Sequence, residues 1–104
     1  MAVIEVNEKN FEEEVLNSKT SVLADFYADW CGPCNMLRPV LEELSEENKD
    51  YKFVSINIDE QDELADEYNV SSIPCLILFK NGVEAARSIG FKPKEMIEDF
   101  LGEN

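Results

Sequence analysis

The segment that most constrains the fold is the apolar run from Ser21 to Tyr27, SVLADFY. Apolar residues at consecutive rather than alternate positions are typical of a strand that is buried on both faces of a sheet. Such a sheet must be covered by helices above and below, so the run predicts an α/β fold. One charged residue, Asp25, interrupts the run.

The rest of the chain alternates between strand and helix patterns. Strands are predicted at 2–6, 21–27, 53–58, 75–79 and 83–89. Four helices are predicted: one capped by Asn7, a long amphipathic one from Cys34 onward, a short acidic one, and one with Pro93 in its first turn. Asn81-Gly82 is a hairpin signal, which makes the last two strands antiparallel neighbours. The expected order is βαβαβαββα, in a mixed five-stranded sheet whose strand–helix–strand units are parallel.

Each predicted helix has one apolar face that should pack on the sheet. The residues expected on these faces are Phe11, Val15 and Leu16; Leu37, Val40, Leu41 and Leu44; Leu64 and Tyr68; and Met96, Ile97, Phe100 and Leu101. Pro39 lies inside the second helix and is expected to bend it.

Length and charge limit the possible functions. The 104 residues are expected to form a single domain, 1–104, that buries a core without help from disulfides or a metal. With 9 Lys and Arg against 23 Asp and Glu, the net charge of −14 disfavours binding to nucleic acid or membrane surfaces and disfavours self-association, so we expect a monomer. The sequence has neither an export signal nor an apolar run long enough to cross a bilayer, which predicts a cytoplasmic location.

Two thiols, Cys31 and Cys34, lie where a predicted strand ends and a helix begins, in the run WCGPC. The positive partial charge of a helix N-terminus favours a thiolate on Cys31, and Cys34 lies one turn later on the same side. This pattern favours reversible disulfide exchange. A structural disulfide is an alternative, but so small a loop would stabilise the fold by only about 2 kcal/mol. Metal sites are disfavoured, because three Cys and no His leave zinc or an iron–sulfur cluster short of ligands.

The run DFYADWCGPC at 25–34 is accompanied by Ile73-Pro74, Pro39, Gly82 and Gly90. With these motifs the chain resembles the thioredoxin family over essentially its whole length, and the predicted element order agrees with the thioredoxin fold. The resemblance implies a thiol-disulfide oxidoreductase, an electron carrier that reduces disulfides in cytoplasmic proteins. A thioredoxin reductase, which is a flavoprotein, would regenerate the dithiol. No cofactor is implied, since the chain has no nucleotide-binding glycine motif.

The resemblance also implies roles for residues around the dithiol. Cys31 would be the nucleophile and Cys34 the resolving thiol, while Pro74 would follow a cis peptide bond and place the Ile73 backbone beside an incoming peptide. For Phe91, core packing is an equally good interpretation. The implied docking face for substrates consists of Trp30, Gly32, Pro33, Ile73, Pro74, Gly90 and Phe91.

Asp25 is a candidate proton acceptor. A carboxylate inside an apolar strand is expected to lie beneath the active-site helix, where desolvation raises its pKa and allows it to take the proton of Cys34. The alternative is a structural carboxylate at a strand edge. In the family a lysine on the neighbouring strand commonly partners this acid, but the matching position here is Ser55. We therefore expect Asp25 to be neutral more readily than is usual.

Cys75, directly after Pro74, has two interpretations. It is either a regulatory thiol close to the dithiol or a small buried core residue, and the second is favoured because free cysteine is among the most buried residue types. Two other functions stay open for the whole chain. One is a disulfide oxidant or isomerase on the same fold, and the other is a non-catalytic binding module that uses the apolar face.

Overall fold

The apolar runs of the sequence form the strands of one sheet in the computed structural model, which describes residues 2–104. The strands are β1 (Val3–Glu5), β2 (Ser21–Tyr27), β3 (Tyr51–Asn57), β4 (Cys75–Lys80) and β5 (Val83–Ile89). Their order across the sheet is β1-β3-β2-β4-β5. β1 and β2 run parallel to β3, whereas β4 is antiparallel to both β2 and β5. The predicted mixed five-stranded sheet is confirmed.

Three α-helices and one π-helical segment occupy the connections within residues 2–104. They are the π-helical segment Glu12–Leu16, α1 (Gly32–Glu47), α2 (Asp62–Glu67) and α3 (Lys94–Glu103). The predicted alternation of strands and helices is confirmed. The first helix is wound more widely than an α-helix, because the Asn17 N–H donates to the carbonyl of Glu12, five residues earlier, at 2.8 Å. Apolar residues at positions 11, 15 and 16 fit either winding, so their spacing could not distinguish them.

The sheet separates two hydrophobic layers, as its apolar central strand requires. On one face Leu23 packs with Leu37 and Leu41 of α1 and with Ile97 of α3. On the other face Phe26 packs in a cluster with residues of the π-helical segment and of α2. Alternate residues of β2 therefore face opposite layers, although nearly all of them are apolar.

The turn between β4 and β5 follows the expected hairpin chemistry. Asn81 and Gly82 have φ angles of 55° and 79°, the left-handed conformations that a tight hairpin needs at both central positions. A Cβ atom on Gly82 would lie 2.8 Å from the carbonyl oxygen of Leu16. This position therefore requires glycine both for its backbone conformation and for the close approach of the neighbouring chain.

Two local predictions were wrong. Met96 is 50% exposed, because α3 contacts the sheet mainly through Ile97 and Leu101, which lie on a narrower stripe than the periodicity suggested. The unit β3–α2–β4 is not parallel, since β4 runs opposite to β2 while β3 runs with it.

No helix among residues 2–104 is both long and apolar enough to cross a membrane.

Candidate active site

The dithiol lies at the N-terminus of α1, directly after β2. Cys31 is the N-cap residue, with φ −89° and ψ 111°, and its Sγ accepts a hydrogen bond from the backbone N–H of Cys34 at 3.2 Å. Pro33, in the first turn, fits a helix start because its missing N–H would have no partner there. Cys31 and Cys34 form a disulfide with their Cα atoms 5.2 Å apart. The helix start thus presents a backbone donor and a positive partial charge to the Cys31 sulfur.

Asp25 lies under α1, on the same face of β2 as Leu23, which packs against that helix. Only 5% of the residue is exposed. Burial raises the pKa of its carboxyl to about 7, against an opposing effect of the Arg38 cation and a smaller reinforcing effect of Glu5. Its Oδ1 atom accepts no hydrogen bond from residues 2–104. A buried acid with this pKa exchanges protons readily near neutral pH.

Beside Asp25 is a cavity of about 310 Å³ between α1 and the β1–β3–β2 edge of the sheet. Glu5 in this cavity accepts hydrogen bonds from the Tyr27 hydroxyl at 3.0 Å and from Ser55 Oγ at 3.0 Å. The Arg38 guanidinium lies 5.1 Å from the centre of the Tyr27 ring. The lining residues are Val3, Glu5, Asp25, Tyr27, Asp29, Arg38, Leu41, Glu42 and Ser55.

The segment before β4 closes the other side of the dithiol. The Ile73-Pro74 peptide bond is cis, and Ile73 packs against the cluster that contains Cys31 and Cys34. The Gly90 N–H donates to the Pro74 carbonyl at 2.8 Å, which holds the end of β5 beside this segment. Cys31, Cys34, Ile73, Pro74 and Gly90 are therefore linked by direct packing and hydrogen bonding.

Exposed groups surround this centre. Trp30 is 70% exposed, and its ring nitrogen Nε1 donates to Asp59 Oδ2 at 2.9 Å. Gly32 and Pro33 are exposed at the start of α1, and Phe91, which follows Gly90, is 36% exposed. The structure thus leaves part of Phe91 accessible, while Pro74 is buried.

Comparison with known proteins gives the family. The family model for Thioredoxin matches residues 2–103. The thioredoxin of Bacillus subtilis is 45% identical over 105 residues, covering 100% of this chain and 99% of that protein. The chain belongs to the thioredoxin family. The thioredoxin of Buchnera aphidicola is 45% identical, over 98% of this chain and 95% of that protein. The thioredoxin of Mycoplasma genitalium is 40% identical, over 95% of this chain and 97% of that protein.

Membership establishes the chemistry in general terms. The chain is a thiol-disulfide oxidoreductase with protein-disulfide reductase activity, and its redox-active pair is Cys31 and Cys34. As a family, thioredoxins act on disulfide-containing substrates and work with reductase partners. The cis bond before Pro74, which the resemblance implied, is present in this chain.

Cys75 lies in the layer opposite α1. It is 1% exposed and packs with Phe26, Ile77 and Phe79. Burial raises the pKa of its thiol, against an opposing effect of Arg87. The packing interpretation accounts for these contacts, and a regulatory role stays a prediction.

Sequence reasoning missed three residues of this site: Glu5, Arg38 and Asp59. Glu5 and Arg38 are exposed residues of a strand and a helix, and an exposed charged residue carries no signal of its own. Asp59 follows β3, the parallel neighbour of β2, and the Ile58 N–H donates to the Tyr27 carbonyl at 2.9 Å. Only the strand order brings Asp59 to the same end of the sheet as Trp30.

Proposed function

We propose that this single thioredoxin domain reduces disulfides in cytoplasmic proteins, with Cys31 as nucleophile, Cys34 as resolving thiol and Asp25 as proton acceptor. The observation that carries the proposal is the position of Cys31 as the N-cap of α1, with the Cys34 N–H directed at its sulfur. A hydrogen-bond donor and the positive end of the helix both favour a thiolate on Cys31 in the reduced protein.

In the first step the Cys31 thiolate attacks one sulfur of a substrate disulfide. A Cys31–substrate disulfide forms and the second substrate sulfur leaves as a thiolate. In the second step Cys34 gives its proton to the Asp25 carboxylate, and the Cys34 thiolate attacks Cys31 Sγ. This step releases the remaining substrate thiolate and forms the Cys31–Cys34 disulfide. Two electrons pass to the substrate, and a flavoprotein thioredoxin reductase would return two to the disulfide.

The docking face that we propose surrounds the dithiol. Trp30 and Phe91 supply exposed aromatic surface, and Ile73 packs against the cluster that contains Cys31 and Cys34, which brings its backbone near the dithiol. An extended substrate segment could pair with that backbone while its disulfide meets Cys31. The net charge of −14 supports action as a monomer and away from membranes and nucleic acid.

Trapping the intermediate tests these assignments. The Cys34→Ser variant should accumulate a mixed disulfide with a disulfide-containing protein such as insulin, because the second step has lost its attacking thiol. Mass spectrometry should place the adduct on Cys31. Cys31→Ser should form no such adduct, and Cys75→Ala, the control for the third thiol, should turn over normally. An adduct on Cys34 in the parent protein or in Cys31→Ser, or on Cys75 in Cys34→Ser, would overturn the assigned roles.

The Cys31→Ser variant also separates an exchange enzyme from a binding module. A module that works through its apolar surface would retain its function in this variant, whereas an exchange enzyme would lose it.

A further inference from the structure

The cavity beside Asp25 contains charged groups that the general mechanism does not use. Glu5, Ser55 and Asp25 occupy matching register positions on the three adjacent strands β1, β3 and β2. Residues in register on neighbouring parallel strands point to the same face, so all three project into the cavity under α1. Two strand spacings, about 10 Å, separate the backbones of Glu5 and Asp25.

The Glu5 carboxylate lies on the exposed edge strand β1 and is held at the cavity by hydrogen bonds. Both of its oxygens accept the Tyr27 hydroxyl, at 3.1 and 3.0 Å, and Oε1 also accepts Ser55 Oγ at 3.0 Å. These hydrogen bonds hold the Glu5 carboxylate at the wall of the cavity.

Arg38 supplies a positive charge to the same cavity from the opposite wall. The residue lies one turn after Cys34 on α1, and its guanidinium stacks over the Tyr27 ring at 5.1 Å. The strand position that faces Asp25 from β3 is the neutral Ser55. The cation that acts on this acid therefore comes from the helix, not from the neighbouring strand that commonly supplies a lysine in the family.

We propose that Glu5 and Arg38 are positioning residues of the dithiol reaction: their opposed charges across the cavity determine at which pH Asp25 is free to take the proton of Cys34. The proposal rests on the proposed role of Asp25 as proton acceptor. It deepens that role by assigning control of the acid to two side chains that touch neither sulfur.

The proton balance of the second step shows why this control matters. Cys34 can attack Cys31 Sγ only after its proton has moved to an ionised Asp25, and that proton must then leave Asp25 for solvent before the next cycle. The cavity is polar and large enough to admit water, which would carry the proton out past Glu5 and Arg38. A negative charge at Glu5 favours the protonated acid, and a positive charge at Arg38 favours the ionised acid.

Other charged and titratable groups also face Asp25. Besides Glu5 from β1, Tyr27 and Asp29 line the cavity at the end of β2, and Glu42 lines it from α1 together with Arg38. Cys75, the neighbour of Leu76 on β4, does not line the cavity, because its side chain packs in the layer on the other face of the sheet. Arg38 and Glu5 are the groups whose charges act most on the Asp25 carboxyl after burial itself.

Stopped-flow kinetics with a small aromatic disulfide tests the proposal. The reduced protein releases one aromatic thiolate when the mixed disulfide forms on Cys31, and a second when Cys34 resolves it. The rate of the second release is measured at a series of pH values. The disulfide reagent is used at a concentration at which the first release is complete before the second begins. Its rate should rise with pH as Asp25 ionises.

The variants are Glu5→Gln and Arg38→Gln, with Glu8→Gln and Lys19→Gln as exposed controls that remove the same charges away from the cavity. Glu5→Gln should move the rising limb of the second phase to lower pH by about 0.5 unit, and Arg38→Gln should move it to higher pH by about as much. The charge-preserving Glu5→Asp and Arg38→Lys should restore the parent profile. NMR titration of the Asp25 carboxyl should shift in the same directions.

The outcomes separate this proposal from the proposed function. If Asp25→Asn abolishes the rising limb but Glu5→Gln and Arg38→Gln behave like their controls, the positioning roles are wrong and the role of Asp25 stands. If Asp25→Asn leaves the limb unchanged, Asp25 is not the proton acceptor and both fail. Shifts of Glu5→Gln and Arg38→Gln in the same direction would also overturn the positioning proposal, because a structural disturbance would produce them but opposed charges would not.

Discussion

Replacing Asp25 with Asn should stabilise the oxidised protein increasingly as pH rises. Burial lifts the pKa of the Asp25 carboxyl from its ordinary 3.8 to about 7, so the folded state holds this proton more tightly than the unfolded state does. The contribution of the protonated Asp25 carboxyl to the unfolding free energy of the parent protein is therefore lost as pH rises from about 4 to about 7. At about 1.4 kcal/mol per pKa unit, the loss in the parent protein approaches about 4 kcal/mol. Asn does not titrate and avoids that loss.

Urea denaturation of both proteins at several pH values measures the effect. The quantity to follow is the difference in unfolding free energy between Asp25→Asn and the parent, since all other titrations cancel in it. That difference should increase by up to about 4 kcal/mol between pH of about 4 and about 9. Asp66→Asn, on the exposed surface of α2, is the matched control and should show a difference that barely changes with pH. A difference for Asp25→Asn that is as flat as the control's would refute the reasoning from burial.

Three further substitutions test the fold and the site. Gly82→Ala should cost about 1–3 kcal/mol in urea denaturation, because φ is +79° and the new Cβ would meet the Leu16 carbonyl at 2.8 Å; a loss below about 0.5 kcal/mol would contradict this account of the turn. Ser55→Lys should lower the pKa of Asp25 in an NMR titration, since it adds a cation at the facing register position, and an unchanged pKa would be inconsistent with that placement. Leu37→Ala should cost about 2–5 kcal/mol because Leu37 is fully buried between α1 and the sheet, and a loss under about 1 kcal/mol would show that the site tolerates the cavity.

The parts of the fold that depend on local patterns could be predicted from the sequence. The apolar run of β2, the helical spacing of α1 and the Asn81-Gly82 turn each have short-range physical causes, and the structure contains all three. Local patterns did not predict the exposure of Met96. Helical periodicity identifies an apolar stripe, but it does not indicate how much of that stripe the neighbouring elements cover.

The site divides in the same way. The dithiol and the buried acid are visible in sequence, because two thiols beside a helix start and one charge in an apolar strand are each chemically distinctive. The surroundings of that acid are not visible. Glu5 reaches it through the register of three strands, and Arg38 reaches it by its rotation on α1. Register and helix rotation are set by packing of the whole molecule, so a single sequence does not indicate these contacts.

The most direct test of the central claim is an equilibrium redox titration of the protein in graded thiol/disulfide buffers. Free thiols are trapped by alkylation, and mass spectrometry reads Cys31, Cys34 and Cys75 separately. A reductant of protein disulfides should show Cys31 and Cys34 titrating together with a midpoint near about −270 mV, the potential typical of thioredoxins. A midpoint near about −120 mV would mean that the pair oxidises its partners, and would contradict the proposed direction of electron flow.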